Sequence, residues 1–137
     1  MTRFPYSLAP NQPNSLMARL SLTLFNMDRS VNVVGLVDSG AALNVMPYEI
    51  GLALGANWED QFVEVPLTGA LGRLEARVLF VRAIVPQAIS RDPVDLAFAW
   101  ARAENIPLIL GQTNFFMEFD LCFYRSEGAF EVNRHEV

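Results

Sequence analysis

The run from Val31 to Val37, and the acid that ends it, constrain this 137-residue chain more than any other stretch. The segment is apolar and largely β-branched except for Asn32 and Gly35, so it reads as a strand buried on both faces. Asp38 follows at its end, and Ser39, Gly40 and Ala41 are small enough to leave that carboxylate accessible. Gly40 is free to take a positive φ or to let another backbone approach closely. By turn chemistry alone, Asp-Ser-Gly after a strand is a tight turn.

A second segment, most of a domain downstream, changes the weight of the first. Pro107, Leu108, Ile109, Leu110 and Gly111 form another short apolar strand ending in glycine, and Gln112 to Met117 has room for a helical turn or two. In order and spacing, Asp38-Ser39-Gly40-Ala41 and Ile109-Leu110-Gly111 resemble the two signatures of the retropepsin family, the single-domain aspartic peptidases typified by retroviral proteases. The resemblance spans about Ala18 to Val132.

It implies an all-β fold, a small closed β-barrel-like domain with one or two short helices over residues 1–137, and an aspartic endopeptidase activity on peptide or protein substrates. Such enzymes hydrolyse amides with two carboxylates sharing one site and one proton. This chain carries one loop of the kind. Asp28, Asp60, Asp92, Asp95 and Asp120 lack the glycine that follows Asp38-Ser39. The second carboxylate is therefore expected from a second copy, in a two-fold homodimer with equivalent loops at the axis. The resemblance makes Asp38 the catalytic acid and base, with Ser39 holding the opposite loop and Gly40 offering its carbonyl to the substrate backbone. Ala41 would shape a pocket. A module of the same fold that binds peptide or dimerises without cleaving is the alternative.

Two positions depart from the retroviral pattern. An acid usually follows Asp-Thr-Gly-Ala, and a basic residue follows the second glycine; here Ala42 and Gln112 stand there. An ion pair is missing from both ends together.

Composition narrows the partners. Apolar residues make up 52% of the chain and charged residues 18%, enough for a core with surplus for an interface. The net charge is −5 and there is no lysine, which argues against a nucleic-acid surface. Cys122 is the only cysteine and His135 the only histidine, so no intramolecular disulfide and no Cys/His zinc cluster can be assembled, and Cys/His nucleophilic catalysis is disfavoured. Cys122 is expected to be a buried structural thiol. No cofactor, metal or membrane contact is expected, and without a recognisable leader a cytoplasmic location is the default.

Residues 1–17, rich in Pro, Asn and Ser, are expected to be irregular and surface-lying. Ala18 to Phe25 alternates as a half-exposed strand, turning at Asn26–Ser30 into the Asp38-bearing strand. Leu43 to Met46 suits a short strand, and Tyr48 to Leu54 a short helix started by Pro47 and stopped by Gly55, with Trp58 as packing. Phe62–Leu67 and Arg73–Val85 form arms around Thr68-Gly69-Ala70-Leu71-Gly72, a mobile hairpin in the position of the retropepsin flap. The resemblance then puts the backbone of Leu67, Thr68, Gly69 and Ala70 against substrate. Val94 to Trp100 alternates as a strand although its alanines also permit a helix, and Phe119–Tyr124 with Ala129–Val132 reads as a closing hairpin.

Overall fold

The computed structural model describes residues 1–9, 12–69 and 72–135. Twelve strands are formed there: β1 (Thr2–Pro5), β2 (Ser7–Ala9), β3 (Gln12–Met17), β4 (Arg19–Asn26), β5 (Arg29–Val37) and β6 (Asn44–Met46) precede β7 (Glu64–Gly69), β8 (Gly72–Ile84), β9 (Val94–Ala101), β10 (Leu108–Leu110), β11 (Phe119–Tyr124) and β12 (Ala129–Arg134). Two short helices, α1 (Tyr48–Ala53) and α2 (Phe115–Glu118), interrupt them. The fold is all-β, with the strands in the order β4-β5-β10-β6-β9-β8 and a β4–β8 pairing that closes them into a six-stranded barrel. β7 extends the sheet from β8 as a hairpin arm.

Alternation decides which side of each strand faces the core. On β4, Leu20, Leu22 and Leu24 are buried while Ser21 is exposed, as the sequence pattern requires. On β9, Val94, Leu96, Phe98 and Trp100 point inward. The intervening alanines serve the opposite face, where Ala99 and Ala101 join Ala76 under the larger side chains of Leu43, Val45, Leu67 and Leu74. Small residues are needed there because a second layer packs on top of them, and that layer is the cleft described below.

β5 departs from expectation. Val33, Gly35 and Val37 are buried, but Asn32 and Val34 are exposed, Val34 to 56%. The strand is therefore buried on one face over most of its length. Its outer face at Val34 is opposite Ser21 of β4, and no layer covers that pair.

The N-terminal segment is also not irregular. β1 pairs antiparallel with β12, Thr2 opposite Val132 through Pro5 opposite Ala129, making a three-stranded sheet with β11. Phe130 anchors it, fully buried and stacked on Phe4 at 5.6 Å. β2 and β3 form a separate ribbon, held to β4 by the Arg19 guanidinium, which donates to the carbonyls of Ser7 and Ser15. Polar composition hid these strands: the partner of β1 lies at the other end of the described residues, and β2 and β3 pair only with each other.

α1 follows Pro47, which occupies the residue before the helix with an extended ψ, and ends before Gly55 at φ +75°. Trp58, 3% exposed, packs edge-on to Trp100 at 5.2 Å, and Tyr48 stacks on Trp100 at 5.4 Å. Gly51 lies flat against that same indole: a methyl group there would fall inside the Trp100 ring. A helix-interior Gly→Ala change ordinarily stabilises by about 1 kcal/mol. Here the sign reverses, and Gly51→Ala is expected to cost about 2 kcal/mol, read as a lowered thermal midpoint. Cys122 is half-buried, not fully buried, with its Sγ 4.0 Å from the Met1 sulfur.

Candidate active site

β5 delivers Asp38, and β10 receives it. These strands run parallel, with Leu110 opposite Val37, so the last residue of each lies beside the other. The Asp38 amide continues the ladder by donating to the Leu110 carbonyl at 3.0 Å. The chain then reverses. Gly40 N–H donates to Asp38 Oδ1 at 2.9 Å and Ala41 N–H to the Asp38 carbonyl at 3.2 Å, which is the aspartate turn that the tripeptide suggested. Gly40 is not among the glycines with positive φ. Its hydrogen serves instead to leave room beside the carboxylate, since a Cβ would lie 3.3 Å from Asp38 Oδ1.

The exit of the loop is stitched to the segment after β10. Gln112 and Thr113 donate their amides to the carbonyls of Ala41 and Ala42, both at 2.9 Å, and Asn44 N–H returns a bond of 2.8 Å to the Thr113 carbonyl. Gly111 lies at the tightest point of this seam. A Cβ there would overlap the Leu43 carbonyl and lie 2.8 Å from that of Ala41, so glycine is obligatory for close approach and not for φ.

Asn44 is the residue that sequence reasoning passed over. It is fully buried, the only buried polar residue among those described. Every polar atom of its amide is used: Oδ1 accepts from Gly111 N–H at 2.9 Å and from Phe115 N–H at 3.4 Å, while Nδ2 donates to the Ala97 carbonyl and to Asn114 Oδ1, both at 3.0 Å. Asn114 completes the network by accepting from Ala97 N–H and donating to the Asp95 carbonyl. The two amides thus clamp β6, β9, the end of β10 and the start of α2 together. The available signal was an asparagine inside the apolar run Leu43–Met46, which a strand core tolerates only when its hydrogen bonds are met. Asn44→Leu, similar in size, is expected to cost about 3 kcal/mol by stranding these partners, measurable by denaturant unfolding.

Asp38 opens onto a cleft of about 570 Å³ between this loop and the β7–β8 hairpin. The loop side is Asp38, Gly40, Ala41 and Ala42, with Leu43, Val45 and Ile109 behind them; the hairpin supplies Pro66, Leu67, Thr68, Gly72 and Leu74. Of the expected site residues, Asp38, Gly40, Ala41, Leu67 and Thr68 are brought together here. Ser39 is not among the lining residues, Gly69 is placed only by its pairing with Gly72 at the end of β7, and Ala70 lies outside the described residues. Among the described lining residues Asp38 is the only ionisable side chain, facing walls that are apolar apart from Thr68. Where the retroviral ion pair is missing, Gln112 Nε2 instead donates to the Ser39 carbonyl at 2.9 Å.

No family profile matches the chain, and no curated protein matches it. Among solved structures, the crystal structure of a retropepsin-like aspartic protease from Rickettsia conorii superposes on it with a TM-score of 0.63 at 10% sequence identity, covering 96% of this chain and 98% of that one. At that identity the likeness is one of fold, and the barrel carrying Asp38 is retropepsin-like.

Proposed function

We infer that this chain is an aspartic endopeptidase that works as a homodimer. The observation that carries the reading is the placement of Asp38 as the sole ionisable group among the described residues of a largely apolar cleft beside the β7–β8 hairpin, on a retropepsin-like barrel. One carboxylate is half of the machinery. A two-fold axis beside the loop would set Asp38 against its symmetry mate, with one proton and one water between them.

The ionised carboxylate accepts a proton from that water as its oxygen attacks the peptide carbonyl carbon, and the protonated carboxyl hydrogen-bonds the carbonyl oxygen as charge develops there. Collapse of the tetrahedral species breaks the C–N bond, and the amine leaves with a proton from the pair. No bond forms between enzyme and substrate. Apolar walls favour this step by keeping bulk water from the developing charge. Thr68 and its neighbours on β7 would close over the peptide.

Sedimentation and digestion of an unfolded polypeptide over an acidic to neutral pH range test the reading together. A dimer that cleaves supports it. A stable monomer, or a folded dimer inert at every pH tried, removes it in favour of the peptide-binding module, for which a single carboxylate per cleft suffices.

A further inference from the structure

Among the described residues, Gln112 is the one side chain from another part of the sequence that hydrogen-bonds the Asp38–Gly40 tip, joining Ser39 across 73 positions. We propose that Gln112 is a positioning residue, whose amide fixes the Ser39 peptide and so sets where the Asp38 carboxylate sits. This rests on the reading of Asp38 as the catalytic group.

The loop is anchored by backbone at its entry, Asp38 N–H to Leu110, and at its exit, Ala41 and Ala42 carbonyls to Gln112 and Thr113. Between these anchors Ser39 and Gly40 are exposed. Without Gln112 the tip would be tied only by bonds from within its own turn, Ala41 N–H to the Asp38 carbonyl and Gly40 N–H to Asp38 Oδ1, the second a bond to the carboxylate itself. The reacting group would then hold its own support. Gln112 removes that dependence. Its own N–H is pinned to Ala41, so the short side chain has a fixed origin, and an amide donor neither titrates nor adds charge beside the carboxylate. Being exposed, it contributes little to global stability.

Two variants separate positioning from simple support. Gln112→Met keeps the length and removes the donor: kcat is expected to fall about tenfold at all pH values with KM within about twofold, and the thermal midpoint to stay close to wild type. Gln112→Glu makes the donor conditional. Below about pH 4.3 the introduced carboxyl is protonated and can donate to Ser39; above it, a carboxylate faces a carbonyl. Relative to wild type at the same pH, this variant is expected to be near-normal in acid and to lose about tenfold or more as it ionises. On the elements that flank Gln112 the titratable groups are Asp38, common to both proteins, and Glu118 at the far end of α2, which pairs with Arg134 at 3.4 Å; β10 has none.

Amide hydrogen exchange at Gly40, normalised to wild type at each pH, supplies a readout independent of activity. It should accelerate in Gln112→Met throughout and in Gln112→Glu only above its ionisation. If wild-type protein proves inactive while this exchange pattern holds, the positioning stands and the peptidase reading falls. Unchanged exchange and unchanged kcat in both variants would overturn the proposal, as would equal losses at every pH in Gln112→Glu.

Discussion

Replacing Asp38 with asparagine is expected to lower kcat by about 10⁴-fold or more while leaving the thermal midpoint within a few degrees of wild type. The amide oxygen can still accept from Gly40 N–H, so the turn survives. What is lost is an atom pair that can gain and release a proton at the cleft. Because the proposed site takes one carboxylate from each of two chains, the variant should also poison wild-type protein. With random pairing, an equimolar mixture keeps about one quarter of the wild-type activity, the square of the wild-type fraction. A decline in simple proportion to the wild-type fraction would mean that each chain acts alone. Undiminished cleavage by Asp38→Asn would dismiss Asp38 altogether.

Gly111→Ala should have the largest effect on the fold for the smallest chemical change. The added methyl would meet two backbone carbonyls, those of Leu43 and Ala41, and backbone cannot rotate aside as a side chain can. The end of β10 would have to separate from the Asp38 loop, breaking the seam formed by the amides of Gln112 and Thr113. A cost of about 3 kcal/mol is expected, roughly a 10 °C fall in midpoint for a chain of this length. Thermal unfolding measures it directly. A variant as stable as wild type would show that the seam is looser than these contacts imply.

Much of this architecture is legible in the sequence. The β4 alternation, the β9 alternation with its inward Trp100, and the α1 boundaries follow from periodicity and from Pro47 and Gly55. The pairing of the Asp38 and Gly111 segments was legible as order and spacing. What was hidden depends on neighbours distant in sequence. Whether Val34 faces core or water is decided by what lies over β4 and β5, which the composition of β5 does not encode. Thr2–Pro5 looks like loop until β12 is found alongside it. Asn44 and Gln112 carry weak local signals because their partners lie about seventy residues away.

That separation bears on when the protein can act. Asp38 is in place only once Leu110, Gly111 and Gln112 have closed on it, and those contacts wait until a segment about seventy residues further along has been made. A ribosome-bound or half-folded intermediate would carry the aspartate on a loose end, with no cleft and no geometry for pairing. For the peptidase proposed above, latency during synthesis would follow from the connectivity of the strands themselves.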